Sequence, residues 1–181
     1  QQEKLMLIKT IFAGFGGQGV LSMGLNLAQA AMIENRHVTY LPAYGAEVRG
    51  GTANCTVSIS DEEIASPVAS SPTFVVAMNQ PSMIRFQNRL QSGGIFFLNS
   101  SLITEQVSRG DLEIVNVAAN TLAEEMGNVK SANMIMLGAF IKKSNILHID
   151  SVIEGLNVAL KGNKKLITIN TDALKKGYDL L

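Results

Sequence analysis

The chain has 181 residues, of which 46% are hydrophobic and 17% are charged, and its 15 basic and 15 acidic residues cancel. This length predicts one domain with its own core, and the composition excludes a largely disordered chain. The balance of charge excludes the basic surface that binds nucleic acid or an anionic membrane.

Cysteine and histidine are too scarce to build a metal centre. The chain has one cysteine, Cys55, and two histidines, His37 and His148. An iron–sulfur cluster takes four cysteines, so neither a cluster nor a zinc site is expected. No apolar run reaches the roughly 20 residues of a membrane span. The start of the chain lacks the pattern of a signal peptide. We therefore expect a cytoplasmic protein with one domain at 5–181 and a flexible segment at 1–4.

The first third of the chain predicts a strand, a glycine turn, a helix and a second strand. Residues 5–12 are typical of a buried strand, 20–34 of a buried helix and 37–41 of a strand. Residues 52–60 alternate between apolar and polar side chains, which predicts a strand with one exposed face. Its Cys55 is predicted to be an inert core thiol.

The remaining elements alternate between strands and helices. Strands are predicted at 74–78, 95–98 and 113–117, and helices at 81–91, 121–126, 132–143, 152–160 and 171–181. This alternation favours parallel strands. The predicted fold class is α/β, a single-domain three-layer sandwich with a mostly parallel Rossmann-like sheet and helices on both faces.

A glycine loop joins the first strand to the first helix. Gly14, Gly16 and Gly19 fit the pattern GxGxxG, with Gly17 and Gln18 between them. Such a loop leaves free N–H groups at a helix N-terminus, which attract an anion. The acidic residue that binds a ribose hydroxyl about 20 positions later is absent, which disfavours a standard NAD site. A phosphate or other anion, a partner's backbone and a tight turn without a ligand stay open.

A second glycine-rich loop follows the second predicted strand. It contains Tyr44, Glu47, Arg49, Gly50 and Gly51. Ligands of open α/β sheets bind beyond the carboxyl ends of strands, and an arginine beside glycines can bind phosphate or carboxylate. A surface ion pair between Glu47 and Arg49 is the alternative. The sequence offers no nucleophile–base pair, so the chain alone does not resemble a complete catalyst.

Three motifs occur in a characteristic order. They are GFGGQGV at 14–20, YGAEVRGGTANC at 44–55 and IASP at 64–67. Together they resemble the gamma subunit, or gamma domain, of the 2-oxoacid:ferredoxin oxidoreductases, over essentially the whole chain. That family's pattern is a GxGGQG loop, a YGxExRGG segment and a later IxSP turn. Two long motifs make the resemblance far more specific than the glycine loop alone.

The resemblance implies a subunit of a larger enzyme. In this family, a complex oxidatively decarboxylates a 2-oxoacid with coenzyme A, and forms acyl-CoA, carbon dioxide and reduced ferredoxin. Thiamine diphosphate and magnesium are held by the alpha and beta subunits. The [4Fe-4S] clusters lie in the beta part and in a ferredoxin-like delta part. The substrate resembles that of the 2-oxoglutarate members, while pyruvate, branched-chain and indolepyruvate members stay open.

The resemblance also implies which residues of this chain face a ligand. The glycine loop and the second loop would bind coenzyme A or contact a partner subunit, with Arg49 as the choice for a coenzyme A phosphate. A free-standing nucleotide-binding oxidoreductase and a purely structural subunit are the alternatives. The predicted helices 20–34 and 132–143 are apolar on most sides. Part of this surface is expected to be covered only in a complex, so the isolated chain is expected to dimerise.

Overall fold

The computed structural model describes residues 6–44 and 52–181. Its strands are β1 (Leu7–Phe15), β2 (His37–Tyr44), β3 (Thr52–Ser60), β4 (Phe74–Ala77), β5 (Ile95–Asn99) and β6 (Glu113–Val117). Its α-helices are α1 (Val20–Ile33), α2 (Gln80–Phe86), α3 (Ala119–Glu125), α4 (Ala132–Ser144), α5 (Ile149–Ala159) and α6 (Lys164–Tyr178). Every predicted strand and helix is present, although several begin or end elsewhere.

The six strands form one mixed sheet in the order β2-β3-β1-β4-β5-β6. The pairs β1–β4, β4–β5 and β5–β6 are parallel, whereas β3 is antiparallel to both β1 and β2. All strands except β3 therefore point in the same direction. Helices cover both faces of the sheet. The predicted α/β class with a mostly parallel sheet is confirmed.

Helices are distributed unequally between the two faces of the sheet. The helical face, as we call it, is covered by α1, α3, α4, α5 and α6 and holds the larger core. On this face Phe140 of α4 makes edge-to-face contacts with Phe12, Phe74 and Phe97, at ring-centroid distances of 5.5, 5.5 and 5.2 Å. The opposite face, the α2 face, has a smaller core around Met83 and Phe86.

Two glycines let α4 and α6 pack backbone against backbone. A Cβ on Gly138 of α4 would overlap the carbonyl oxygen of Leu174, and a Cβ on Gly177 of α6 would overlap that of Ile135. Because α6 lies so close, the apolar residues of α4 are covered within the chain. The expectation that α4 needs a partner to cover it was therefore wrong. Helix α1, in contrast, does expose apolar residues: the exposed fraction is 45% for Leu25 and 63% for Met32.

Strand β3 is buried on both faces, so the prediction of one exposed face was wrong. Its polar residues Thr56, Ser58 and Ser60 lie on the α2 face and are buried. The segment 61–73 covers this side of the sheet, and Ala69 belongs to the core there. Short hydroxyl side chains are small enough to be buried beneath this segment. The alternation of apolar and polar residues in β3 therefore does not mean that the polar face is exposed to solvent.

Several predicted boundaries were also wrong, and three of them have a clear physical reason. Strand β1 continues to Phe15 because it still pairs with β3 at Thr52. Helix α2 ends at Phe86, since the chain tightens into a turn in which the N–H of Arg89 donates to the Phe86 carbonyl. Helix α6 begins at Lys164 rather than Thr171, because the side chain of Asn163 accepts a hydrogen bond from the N–H of Leu166 and caps the first turn.

Candidate functional site

The glycine loop lies at the carboxyl edge of the sheet, between the end of β1 and the start of α1. The N–H of Gln18 donates to the Phe15 carbonyl at 3.2 Å, and Gly17 and Gly19 have positive φ angles of 90° and 75°. Gly19 caps α1 without a side-chain hydrogen bond. A glycine at the cap leaves the N–H groups of the first turn of α1 without a capping side chain from this position, which favours an anion at this point.

The side chain of Gln18 holds this loop in place. Its Oε1 accepts hydrogen bonds from the N–H of Phe15 at 2.7 Å and from Nδ2 of Asn79 at 3.2 Å. Its Nε2 donates to the Met78 carbonyl at 3.3 Å. A Cβ on Gly14 would lie 2.6 Å from Gln18 Oε1, so the glycine makes room for the amide. Gln18 and the buried Gly14 thus shape the loop, while Gly16 and Gly17 are exposed.

A chain of amide side chains continues from Gln18 along the carboxyl ends of the parallel strands. Asn79 follows β4, Asn99 ends β5 and Asn120 lies in the first turn of α3. Nδ2 of Asn99 donates to the Met78 carbonyl at 3.1 Å and to Oδ1 of Asn120 at 2.7 Å. The sequence interpretation missed these asparagines. The sequence signal that could have identified them is an amide side chain at or just after the end of each of two successive apolar strands.

A cleft of 150 Å³ opens beside the glycine loop and the amide chain. Its lining includes Gly17, Gln18, Met78, Asn120, Lys130 and Asn133. Nδ2 of Asn133 donates to the Gly19 carbonyl at 3.3 Å, which links α4 to the loop. Lys130 and Asn133 also line a second cavity of 300 Å³, between α1 and the later helices.

The second predicted loop begins at the same edge. Tyr44 is the last residue of β2 and pairs with Ala53, while Thr52 pairs with Phe15 at the end of β1. The two motifs therefore approach each other at the carboxyl edge. Glu47, Arg49, Gly50 and Gly51 lie outside the described residues, so their predicted roles stay predictions.

The cysteine is an inert core thiol, as predicted. Cys55 is fully buried against α1, where its Sγ lies 3.4 Å from the Val20 carbonyl. Burial raises the pKa of this thiol to about 12, so it keeps its proton at neutral pH. Asp61 forms an ion pair with Arg36 at 2.9 Å. In 6–44 and 52–181, no group of three or more His, Cys, Asp or Glu residues could hold a metal ion.

Among the described helices, none is both long enough and apolar enough to span a membrane.

Comparison with known proteins identifies the family. The family model described as pyruvate ferredoxin/flavodoxin oxidoreductase matches residues 9–180. The chain belongs to this family. The match confirms the resemblance that the glycine loop, the YGAEVRGG segment and the IASP turn indicated.

Relatives of the chain occur as short and as long polypeptides. It is 41% identical over 173 residues to the ketoisovalerate oxidoreductase subunit VorA of Methanothermobacter thermautotrophicus, covering 95% of this chain and 36% of that protein. It is 32% identical over 151 residues to the 2-oxoglutarate synthase subunit KorC of Methanothermobacter marburgensis, covering 80% and 81%. The chain thus spans little more than a third of the VorA subunits.

Solved structures share the fold. A keto/oxoacid ferredoxin oxidoreductase gamma subunit from Geobacter sulfurreducens matches with a TM-score of 0.82 and 23% identity, covering 95% of this chain and 96% of that one. A 2-oxoglutarate:ferredoxin oxidoreductase from Magnetococcus marinus, whose structure contains 2-oxoglutarate, coenzyme A and succinyl-CoA, matches with a TM-score of 0.88 and 22% identity, covering 99% and 32%.

Proposed function

We propose that this chain is the gamma subunit, or gamma domain, of a 2-oxoacid:ferredoxin oxidoreductase. The complex would convert a 2-oxoacid and coenzyme A into acyl-CoA and carbon dioxide, and would pass the electrons to ferredoxin. The observation that carries this proposal is the family match over residues 9–180. Relatives named as oxidoreductase subunits support it, at up to 41% identity.

The two lengths of relatives suggest how the chain is assembled. The matched region makes up most of a KorC subunit but only about a third of VorA. The chain would therefore function together with further domains, which are either separate subunits or fused to it in one polypeptide. We propose that residues 5–181 form one gamma domain, which packs against alpha and beta subunits and a ferredoxin-like delta subunit. Thiamine diphosphate, magnesium and [4Fe-4S] clusters would lie in these partners, and supply the carbanion and electron-transfer chemistry.

The proposed task of this chain is to bind coenzyme A at the carboxyl edge of the sheet. Exposed Gly16 and Gly17 allow a ligand to approach the backbone, and the start of α1 favours a phosphate. Arg49 would add a guanidinium group suited to phosphate oxygens. The alternative for the same residues is contact with a partner subunit.

The proposed substrate class is a 2-oxoacid, and two substrates are the leading candidates. The motif that follows Arg49 resembles the 2-oxoglutarate members, and KorC relatives at 32% identity agree with that choice. The higher identity of 41% to a ketoisovalerate oxidoreductase subunit favours a branched-chain 2-oxoacid. The substrate contacts would lie near thiamine diphosphate in the partner subunits. An activity assay with each 2-oxoacid therefore decides between the two candidate substrates.

The proposal is tested on the native assembly. The chain is affinity-purified from its own cells together with its partners, and dye reduction is measured with 2-oxoglutarate, 2-oxoisovalerate, pyruvate and indolepyruvate. We expect reduction that requires both a 2-oxoacid and coenzyme A, with thiamine diphosphate and iron in the preparation. A pure chain without partners or activity, but with bound nucleotide, would instead support a free-standing nucleotide-binding protein.

Substitution of Arg49 separates the two roles of the second loop. If Arg49 binds a coenzyme A phosphate, Arg49→Ala should raise the apparent KM for coenzyme A by about tenfold or more, because a charge-assisted hydrogen bond is lost. Assembly should be retained. Lys165→Ala on the exposed start of α6 is the control and should leave this KM unchanged. Weaker assembly with an unchanged KM would assign Arg49 to a subunit interface.

A further inference from the structure

Backbone groups on two sides fix the orientation of the Gln18 amide. The N–H of Phe15 can only donate a hydrogen bond, so the Gln18 atom that lies 2.7 Å from it is the oxygen Oε1. The Met78 carbonyl can only accept, so the Gln18 atom that faces it is the nitrogen Nε2. Both groups therefore require the same orientation. Because an amide oxygen has two lone pairs, Oε1 can accept from a second donor.

Asn79 supplies this second donor. It is the N-cap of α2, where its Oδ1 accepts a hydrogen bond from the N–H of Ser82 at 2.9 Å. Its Nδ2 then faces Gln18 and donates to Oε1 at 3.2 Å. One half of the Asn79 amide is thus used by the helix and the other half by the glycine loop. A single side chain joins the start of α2 to this loop.

Asn79 contacts the loop from below, without reaching the cleft beside it. It is 2% exposed and does not line the cleft of 150 Å³, whereas Gln18 does. The exposed Gly16 and Gly17 have no side chains that could anchor the turn. The conformation of the turn therefore depends on Gln18, and the position of Gln18 depends in part on Asn79.

We propose that Asn79 is a positioning residue for coenzyme A binding, which acts through Gln18 to hold the glycine loop in the conformation that meets the ligand. This inference rests on the proposed contact of the loop with coenzyme A. Without the donor of Asn79, the Gln18 amide keeps its two backbone hydrogen bonds but is held less firmly. A loop that is less ordered before binding has to be ordered by the ligand, which lowers the affinity.

Loss of the donor alone tests this role in the complex purified with its partner subunits. Asn79→Ser keeps an oxygen that can cap α2 but is too short to reach Gln18. We expect the apparent KM for coenzyme A to rise about three- to tenfold, as for the loss of one neutral hydrogen bond. The kcat and the KM for the 2-oxoacid should change less than about twofold, because only the binding of coenzyme A is affected.

Two further variants complete the series. Asn79→Asp also keeps the cap of α2, but it places an acceptor against Gln18 Oε1 and should raise the KM for coenzyme A further. Asn163→Ser makes the same substitution as the first variant at the N-cap of the exposed start of α6. It is the matched control and should leave the KM for coenzyme A unchanged.

A double substitution shows whether Asn79 acts through Gln18. If it does, Asn79→Ser should have no further effect on the KM for coenzyme A once Gln18→Ala has removed the shared hydrogen bond. Hydrogen exchange gives a readout without turnover. Asn79→Ser should accelerate exchange of the Phe15 and Gln18 amides, whose protons are bonded within the loop.

The outcomes separate this inference from the proposed function. Unchanged exchange at Phe15 and Gln18, an unchanged KM in a complex that requires coenzyme A, or equal effects of Asn79→Ser with and without Gln18→Ala would each overturn the positioning role. A wild-type complex that reduces the dye without coenzyme A would contradict the proposed function instead. Hydrogen exchange would then still decide whether Asn79 positions the loop.

Discussion

The two faces of the sheet are covered by different means. The helical face is covered by five helices whose apolar side chains interlock, with Phe140 packed among three phenylalanines. The α2 face has one seven-residue helix and long irregular segments. Helices satisfy their own backbone hydrogen bonds, whereas irregular segments need other donors and acceptors. The α2 face is therefore held by polar side chains as well as by its core.

Long polar side chains on the α2 face bind the backbone of the irregular segments. Nζ of Lys9 donates to the Ser66 carbonyl at 2.8 Å and also to that of Val68. Nη2 of Arg89 donates to the Ala69 carbonyl at 2.7 Å. Oε1 of Gln80 accepts from the N–H groups of Thr104 and Glu105, at 3.1 and 3.3 Å. Order on this face thus depends on individual hydrogen bonds as well as on its core, while the helical face depends on the packing of apolar side chains.

The largest expected effect tests the fit of the helical face. Gly138→Ala should lower the free energy of unfolding by about 3 kcal/mol, because the new methyl group would push α6 away from α4. The measurement is urea denaturation. Gly155→Ala in α5 is the matched control, since its nearest neighbour would be 3.7 Å away. The control should be neutral or slightly stabilising, as alanine favours a helix. Equal effects of the two substitutions would refute the close packing of α4 on α6.

A medium effect tests the polar bonds of the α2 face. Lys9→Met keeps the length of the side chain but removes both hydrogen bonds to the Ser66 and Val68 carbonyls. We expect a loss of about 1–2 kcal/mol in unfolding free energy. We also expect faster hydrogen exchange confined to 61–73. Lys165→Met, on the exposed start of α6, is the control. Unchanged exchange in 61–73 would show that the core around Ala69 holds this segment without Lys9.

The smallest expected effect is a loss of stability at high pH, caused by the Cys55 thiol that is buried where β3 packs against α1. Burial raises the pKa of the Cys55 thiol from its ordinary 9.0 to about 12. Between these values the unfolded chain loses the thiol proton and the folded chain keeps it, so stability falls as pH rises above about 9. The loss should be about 0.8 kcal/mol at pH 9.5.

The pH effect is measured against a variant that cannot titrate at this position. Urea denaturation at pH 8.0 and pH 9.5 gives the change for the wild type and for Cys55→Ala. The variant should lose less stability than the wild type over this interval, whatever its stability at pH 8.0. Parallel behaviour of the two proteins would mean that water reaches the thiol in the folded state.

Local sequence patterns predicted the helical face better than the α2 face. Strands such as β4 and helices such as α1 and α4 have continuous apolar runs, and these runs specify buried elements without reference to the rest of the chain. The burial of Ser58 depends on the segment 61–73, which comes later in the chain and has no regular pattern. The start of α6 depended on a cap at Asn163 that precedes a stretch rich in β-branched residues, which do not favour a helix.

The candidate site was predicted only where it has a contiguous motif. The glycine loop is a run of neighbouring residues and was found at once. Asn79, Asn99 and Asn120 are each separated by about 20 residues, and they meet only because β4 and β5 are parallel neighbours. Lys130 reaches the same cleft from a turn before α4. A single sequence does not show which strand ends become neighbours, so this part of the site required the structure.

The edges of the sheet bear on how the protein avoids aggregation. Strand β2 forms one edge and carries Pro42 in its interior, and strand β6 forms the other with only five residues. Proline is tolerated in an edge strand, where it interrupts the row of donors that an incoming strand would use. At the other edge Glu113 is paired with Lys143, which places charge beside the short strand. Both edges therefore discourage the sheet from growing by addition of strands from other molecules.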